Sequence, residues 1–158
     1  MPLHQTVSHR VAPRQTPARV APRQTAAAHT LRLNLDARAE AVYAFVAKPE
    51  NLPHWAPNFC EAVVRVDEQW RVQTASGMAM FRFTQPETFG VLDHCITLSA
   101  GEEIFVGMRV TPQGAQSEIS ITLTRDSNMS DAQFEQDLQR VEQDLYTLKC
   151  IVECLAAL

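Results

Sequence analysis

The sequence predicts an α+β fold in which a curved antiparallel sheet of about six to seven strands wraps around one long C-terminal helix. Three observations lead to this prediction. A long amphipathic segment ends the chain. It is preceded by a run of short segments with the alternating pattern of strands, and two short helical segments follow the first of these predicted strands. Because short turns separate the middle strands, we expect neighbouring strands to be antiparallel. A long helix with one apolar stripe needs a broad cover, which the sheet would supply.

The first strand is predicted to begin near His29. Residues 29–36 alternate between apolar and polar side chains, which is typical of a half-buried strand. Arg32 and Asn34 would face water, and the opposite side would carry three leucines: Leu31, Leu33 and Leu35.

Two short helices are predicted next. Asp36 is a candidate N-cap of the first helix, and Pro49 would end it. Its buried face would consist of Val42, Phe45 and Val46. Closely spaced prolines then confine a second helical turn, which contains His54 and Trp55.

Six strands are predicted between this turn and the last helix, over residues 59–67, 68–74, 77–85, 90–99, 102–111 and 115–125. Turn residues such as Ser76-Gly77 and Ala100-Gly101 separate them. In the first, one face would carry Cys60, Ala62, Val64 and Val66. In the third, the pattern leaves open which pair faces inward, Met78 and Met80 or Phe81 and Phe83.

The C-terminal helix is predicted over residues 130–158. Ser130 and Gln133 form a capping-box pattern at its start. Polar residues off the apolar stripe should face water, namely Gln136, Gln139, Gln143 and Asp144. The stripe itself alternates spacings of four and three: Phe134, Leu138, Val141, Leu145, Leu148, Val152 and Leu155. The same spacing fits heptads, so a dimeric coiled coil is the alternative.

The charge of the chain is unevenly distributed. Residues 1–35 contain five arginines and no acidic residue, although the whole chain of 158 residues has a net charge of −4. The sequence RVAPRQT occurs twice, at 10–16 and 19–25. We predict that residues 1–28 are a disordered basic Pro/Ala/Arg arm, and that residues 29–158 form one domain. The arm could serve an acidic partner, nucleic acid or organelle targeting, or be a dispensable tail; we expect no specific nucleic-acid binding.

Other classes of protein are disfavoured by the sequence. It has no apolar run long enough for a membrane span and no secretory pattern, which predicts a cytoplasmic protein. The four cysteines form no C-x-x-C pair, so we interpret them as small buried hydrophobic residues. No phosphate-binding loop, nucleophile elbow or zinc-protease motif is present, and we expect no metal and no cofactor.

The order of elements and one local pattern resemble a known superfamily. Residues 42–55 read V-Y-x-F-V-x-x-P-E-N-L-P-x-W. This pattern and the element order over about residues 29–155 resemble the START-like (SRPBCC) superfamily, within it the polyketide cyclase/dehydrase-like and lipid-transport-like group. The resemblance implies a helix-grip fold with an apolar cavity between sheet and helix.

Residues on the predicted inner face are candidates for a ligand site. His94 would be the single ionisable side chain on a face shared with Leu92, Ile96 and Leu98. It could be a satisfied core histidine, a polar anchor for a ligand, or a catalytic acid/base. The ligand-binding candidates are His54, Trp55, Phe81, Phe83, His94, Met108 and Leu145.

Three functions remain open from the sequence. The first is binding of a small hydrophobic or amphipathic molecule in the cavity. The second is an enzyme resembling a polyketide cyclase/dehydratase, with His94 as its acid/base. The third is a protein-interaction module without a ligand, and the sequence also leaves a homodimer open.

Overall fold

The computed structural model of the chain describes residues 27–158. The arm predicted over residues 1–28 therefore lies almost entirely outside the described residues, and Ala28 is the first residue of the first strand.

The described residues form one seven-stranded antiparallel sheet and three α-helices, which confirms the predicted α+β helix-grip fold. The strand order is β1-β7-β6-β5-β4-β3-β2. The strands are β1 (Ala28–Leu35), β2 (Ala62–Val66), β3 (Gln69–Thr74), β4 (Gly77–Phe83), β5 (His94–Thr97), β6 (Glu103–Gln113) and β7 (Gln116–Thr124). The helices are α1 (Ala39–Val46), a 3-10 turn at Pro49–Asn51, α2 (Leu52–Trp55) and α3 (Asp131–Ala156).

The register of β4 decides which of its faces points inward. Phe81 is 3% exposed and belongs to the hydrophobic core, whereas Met80 is 38% exposed and Met78 is also exposed. Phe81 lies opposite Trp70 on β3 and Ile96 on β5. Directly paired residues of antiparallel strands share a face. We call the face that carries Phe81 the inner face of the sheet.

In β2, Ala62, Val64 and Val66 share a face as predicted, but Cys60 is not part of the strand. Val63 lies opposite the fully buried Val72 and packs against the core, whereas Val64 is exposed. Cys60 precedes the strand and lies in a turn. The backbone N–H groups of Phe59 and Cys60 both donate to the carbonyl oxygen of Ala56. The strand therefore begins only at Ala62, later than predicted, and the face that carries Val63 is the inner one.

The fifth strand is shorter than predicted, because residues 84–93 form a connection with a single isolated bridge instead of a regular strand. Gly90 has φ +81, a conformation that favours glycine. A Cβ there would lie 2.9 Å from the carbonyl oxygen of Val110. The backbone N–H of Val110 donates to the carbonyl of Gly90 at 3.0 Å. The connection is thus held close against β6.

The predicted cap of α1 is wrong as well. Arg38 occupies the N-cap position, and no side chain caps the helix. The backbone N–H of Asp36 instead donates to Glu153 Oε1 at 2.8 Å, which ties the end of β1 to α3. Val42 and Val46 are buried as predicted, and Phe45 is half-buried.

The long helix α3 begins as predicted, with the complete capping box of Ser130 and Gln133. The middle of its apolar stripe is buried within the chain, at Leu138, Leu145, Leu148 and Val152. Leu155, in the last turn, is exposed. The stripe is therefore covered by this chain's own sheet and short helices, and the coiled-coil alternative is not needed to bury it.

Two further predictions about α3 are wrong. Asp144 was expected to face water but is 4% exposed, because the loop after α2 covers this side of the helix. Cys150 and Cys154 are exposed, whereas Cys60 and Cys95 are buried as predicted.

None of the helices in residues 27–158 is both long and apolar enough to cross a membrane.

Candidate functional site

His94 lies at the centre of the inner face and is 7% exposed. It begins β5 between Phe83 on β4 and Val106 on β6. Its ring centroid lies 4.9 Å from that of Phe81 and 6.2 Å from that of Phe83. The two phenylalanine rings meet edge to face, with centroids 5.1 Å apart. The imidazole is therefore held in an aromatic environment.

The hydrogen bonding of His94 fixes its tautomer. Its Nδ1 atom lies 2.9 Å from the carbonyl oxygen of Leu92, and a carbonyl oxygen can only accept, so Nδ1 carries the proton. Burial lowers the pKa of His94 and outweighs the opposing effects of the Leu92 carbonyl and the Asp93 charge. The ring is consequently neutral near pH 7. The Nε2 atom is then an acceptor, and no described residue donates to it.

Asp93 points to the other face of the sheet, where Arg109 lies. Its Oδ1 accepts from the backbone N–H of Met108 at 2.9 Å and from Arg109 Nε at 3.2 Å. Its Oδ2 accepts from Arg109 Nη2 at 2.9 Å. Burial raises the pKa of Asp93, but the Arg109 guanidinium and the Met108 N–H outweigh it and hold the pKa below its usual range. Asp93 is therefore an ionised structural group, not a hydrogen-bond partner for the His94 ring.

Trp55 closes the interior at α2. It is 5% exposed and belongs to the hydrophobic core. Within residues 27–158, its Nε1 atom is the one fully buried side-chain nitrogen or oxygen without a hydrogen-bond partner. Leaving a buried donor unsatisfied costs about 1–3 kcal/mol, and native proteins rarely do so. The indole N–H is thus available to an acceptor in the interior.

Six of the seven sequence-predicted ligand residues belong to the buried core cluster or border it. They are the buried Trp55, Phe81, His94, Met108 and Leu145, and the half-buried Phe83. His54 is exposed on α2 and is not part of this cluster.

The inner face reaches solvent at one end of β6. Ile104 lies opposite Ile96 on the inner face but is 39% exposed. Phe83 on β4 and Trp70 on β3 also lie on the inner face and are half-buried. The core side chains are therefore close to the surface on this side, which we call the rim.

Two open surface clefts of the described residues lie elsewhere. One, of about 340 Å³, is lined only by α3 residues: Cys150, Ile151, Cys154 and Leu155. The other, of about 370 Å³, is lined by residues between Asp126 and Arg140. No sheet residue lines either cleft. No group of three or more histidine, cysteine or acidic side chains in residues 27–158 is placed to hold a metal ion.

Comparison with known proteins gives structural similarity alone. No protein-family model matches the sequence, and neither does any curated protein. A START superfamily protein from Mycobacterium smegmatis superposes with a TM-score of 0.64 at 14% identity, covering 81% of this chain and 98% of that one. The chain has a START-like fold. The Aha1 dimer from Colwellia psychrerythraea gives a TM-score of 0.62 at 15% identity, over 80% of this chain and 96% of that one.

A further similar structure is the di-domain ARO/CYC BexL from the BE-7585A biosynthetic pathway, with a TM-score of 0.59 at 18% identity. The match covers 80% of this chain and 46% of BexL. At these identities the similarity establishes the fold of this START-like chain and leaves its ligand open.

Two polar features of this START-like domain were missed in the sequence. Asp144 is buried under the loop after α2, and Asp93, just before β5, pairs with Arg109 on β6. An acidic residue next to the apolar stripe of a helix and an arginine on a neighbouring strand are common in sequences. Neither pairing could be found without the positions of the loop and the register of the strands.

Proposed function

We propose that this START-like domain binds a small hydrophobic or amphipathic molecule between the inner face of the sheet and α3. The observation that carries the proposal is the indole Nε1 of Trp55, a buried donor without a partner in a largely apolar core. His94 supports it, because its Nε2 accepts no hydrogen bond from the described residues. Ligand sites are typically apolar with a few polar groups that orient the ligand. The predicted ligand residues provide such a composition.

A ligand would relieve a defect of the free protein. An oxygen atom placed near Trp55 Nε1 would remove the cost of a buried unsatisfied donor. Phe81, Phe83 and His94 would supply flat aromatic surfaces for an apolar body. Met108, an unbranched and adaptable side chain, would adjust its rotamer to make room.

Entry would take place at the rim. Ile104, Phe83 and Trp70 expose apolar surface beside the buried ring of Phe81. A molecule that bound there first would exchange one apolar contact for another as it moved inward. The exposed rim thus supports access from the β4–β6 side of the sheet.

Native mass spectrometry of the freshly purified protein tests the proposal. We expect a reproducible additional mass that leaves on unfolding and is recovered in a denaturing extract. Trp55→Phe and His94→Phe should reduce its occupancy, whereas His54→Ala, a change at the exposed neighbour of Trp55, should not. A clean mass for the free protein, together with no binding of N-phenyl-1-naphthylamine, would overturn the proposal.

An enzymatic function is the second candidate, because His94 is neutral and its Nε2 has no partner. In a polyketide cyclase/dehydratase-like reaction, it would take a proton from the substrate. The other buried polar side chains of residues 27–158 are engaged: Asp93 by Arg109, Ser117 by the carbonyl of Ala37, and Asp144 by Asn58. If His94→Ala left cyclisation of a polyketide-like substrate unchanged, the catalytic role would be dropped.

A homodimer and a cytoplasmic location stay predictions. The outer face of the sheet exposes apolar side chains that a second copy could cover: Val64, Met78, Met80 and Phe105. Sedimentation velocity over a hundredfold range of concentration tests the dimer. A single monomeric species at all concentrations would remove this prediction.

A further inference from the structure

The lone pair of His94 Nε2 has a fixed direction and a fixed chemical role. The carbonyl of Leu92, which accepts the Nδ1 proton, is itself held in place, because the Leu92 N–H donates to the carbonyl of Met108 at 2.8 Å. The rings of Phe81 and Phe83 restrict the imidazole from the side of β4. A ring flip would leave the Leu92 carbonyl without its donor. Nε2 therefore faces any ligand as an acceptor.

The interior offers no positive charge to balance an anion. The buried polar or charged side chains of residues 27–158 are Asp93, His94, Ser117 and Asp144, with no lysine or arginine among them. Arg65 occupies an inner-face position on the edge strand β2, but it is exposed and lies over the ring of Trp70, 5.5 Å from its centroid. A buried carboxylate would thus lose its hydration without gaining a partner.

We infer that the site selects neutral ligands that carry a hydrogen-bond donor, such as alcohols and phenols, and rejects carboxylates. This inference rests on the proposed function. The donor of the ligand would bind to His94 Nε2, and an oxygen atom of the ligand would accept from Trp55 Nε1. A carboxylate at neutral pH has no proton to donate and would face the lone pair of Nε2.

Three compounds with the same ring system separate these contributions. They are 2-naphthol, which donates a hydrogen bond, 2-methoxynaphthalene, which has the oxygen but no donor, and 2-naphthoate, which is an anion. Dissociation constants would be measured by isothermal titration calorimetry at pH 7.5. We expect 2-naphthol to bind about tenfold more tightly than 2-methoxynaphthalene, the size of one net hydrogen bond. The carboxylate should bind most weakly.

Variants at position 94 test whether this histidine is the acceptor. His94→Phe should bind 2-naphthol and 2-methoxynaphthalene equally, whereas His94→Gln, which offers a carbonyl oxygen, should restore part of the preference. His54→Phe is the matched control, since His54 is exposed, and it should keep the full preference. If His94→Phe does not fold, the ranking of the three ligands by the unchanged protein still decides the question.

The outcomes separate the inference from the proposed function. If none of the three compounds binds, the proposed function fails. If 2-naphthoate binds most tightly, or if 2-methoxynaphthalene matches 2-naphthol, the domain binds apolar ligands but the inferred selectivity is wrong.

Discussion

Asp144 on α3 holds Asn58, three residues after Trp55, through a hydrogen bond of 3.2 Å from the Asn58 backbone N–H to Asp144 Oδ1. The Asn58 side chain also donates to Gln143 Oε1 at 3.1 Å and to the carbonyl of Arg140 at 3.4 Å. These contacts fasten the loop after α2 to the long helix. They therefore help to fix the position of the indole that closes the interior.

Asp144 should make stability fall with rising pH. Burial raises the pKa of Asp144 from 3.8 to about 6, against the hydrogen bonds from Asn58 and Phe59. Between these two values the folded state binds the proton more tightly than the unfolded state. The stability that protonated Asp144 contributes is thus fully present below pH 3.8, the unfolded value, and is lost as the pH rises through the folded pKa of about 6. Asp144→Asn should remove this slope and stabilise the protein at pH 8 by about 1–3 kcal/mol.

Urea denaturation from pH 4 to pH 8 measures this effect as the difference between the original protein and Asp144→Asn. Glu142→Gln, an exposed position on the same helix, is the control and should change stability by less than about 0.5 kcal/mol. Parallel pH profiles for the original protein and Asp144→Asn would refute the prediction.

The stripe of α3 predicts a contrast between two leucines. Leu148 is fully buried, so Leu148→Ala should lower the free energy of unfolding by about 2–5 kcal/mol. Leu155→Ala makes the same chemical change at an exposed position and should cost less than about 0.5 kcal/mol. Leu145→Ala should resemble Leu148→Ala, and Gln139→Ala should be nearly silent. Thermal melts compare the four variants, and equal losses at Leu148 and Leu155 would mean that the helix face is wrong.

The Asp93–Arg109 pair should contribute more to the free energy of unfolding than an exposed ion pair does. Arg109→Ala leaves a buried carboxylate without its cation, and we expect a loss of about 1–3 kcal/mol at pH 7. Because the pKa of Asp93 is lowered in the folded state, this contribution is present above its unfolded pKa and lost as pH falls through the folded value. The control is Arg82→Ala, since Arg82 and Glu103 form an exposed pair at 3.9 Å.

A double-mutant cycle of Asp93→Asn with Arg109→Ala measures the coupling by chemical denaturation. The corresponding cycle of Arg82 and Glu103 should give close to zero. Coupling energies of equal size in the two cycles would contradict the structural distinction between them.

The four cysteines should divide into two classes of reactivity. Cys150 and Cys154 are exposed and should react quickly with a thiol reagent such as 5,5′-dithiobis(2-nitrobenzoic acid). Cys60 and Cys95 are buried, and burial also raises the pKa of the Cys60 thiol, which reduces its thiolate fraction. Two thiols should react in the native protein and four after denaturation. Rapid reaction of all four in the native state would contradict the described burial.

The sequence was sufficient for the order of the elements, because hydrophobic periodicity reflects burial over many residues. It was insufficient where a single connection decides the outcome. The start of β2 depends on the turn at Cys60, and the length of β5 depends on the close approach of Gly90 to Val110. The burial of Asp144 depends on a loop that covers α3 from outside its apolar stripe.

The candidate site was predictable to the same degree. Alternation placed His94 on an apolar face. Its contacts with Phe81 and Phe83 depend on the inner face of β4, which the pattern left open. Its tautomer was not predictable, since it depends on the local path of the backbone at Leu92. The unsatisfied Nε1 of Trp55 likewise depends on packing around α2, which no pattern of residue types describes.

The most direct test of the account is an NMR titration of the ¹⁵N- and methyl-labelled protein with 2-naphthol. We predict that the chemical-shift changes concentrate on His94, Phe81, Met108 and Leu145, on the two sides of the proposed site. Changes confined to the outer cleft of α3, at Ile151 and Leu155, would contradict a ligand site between sheet and helix.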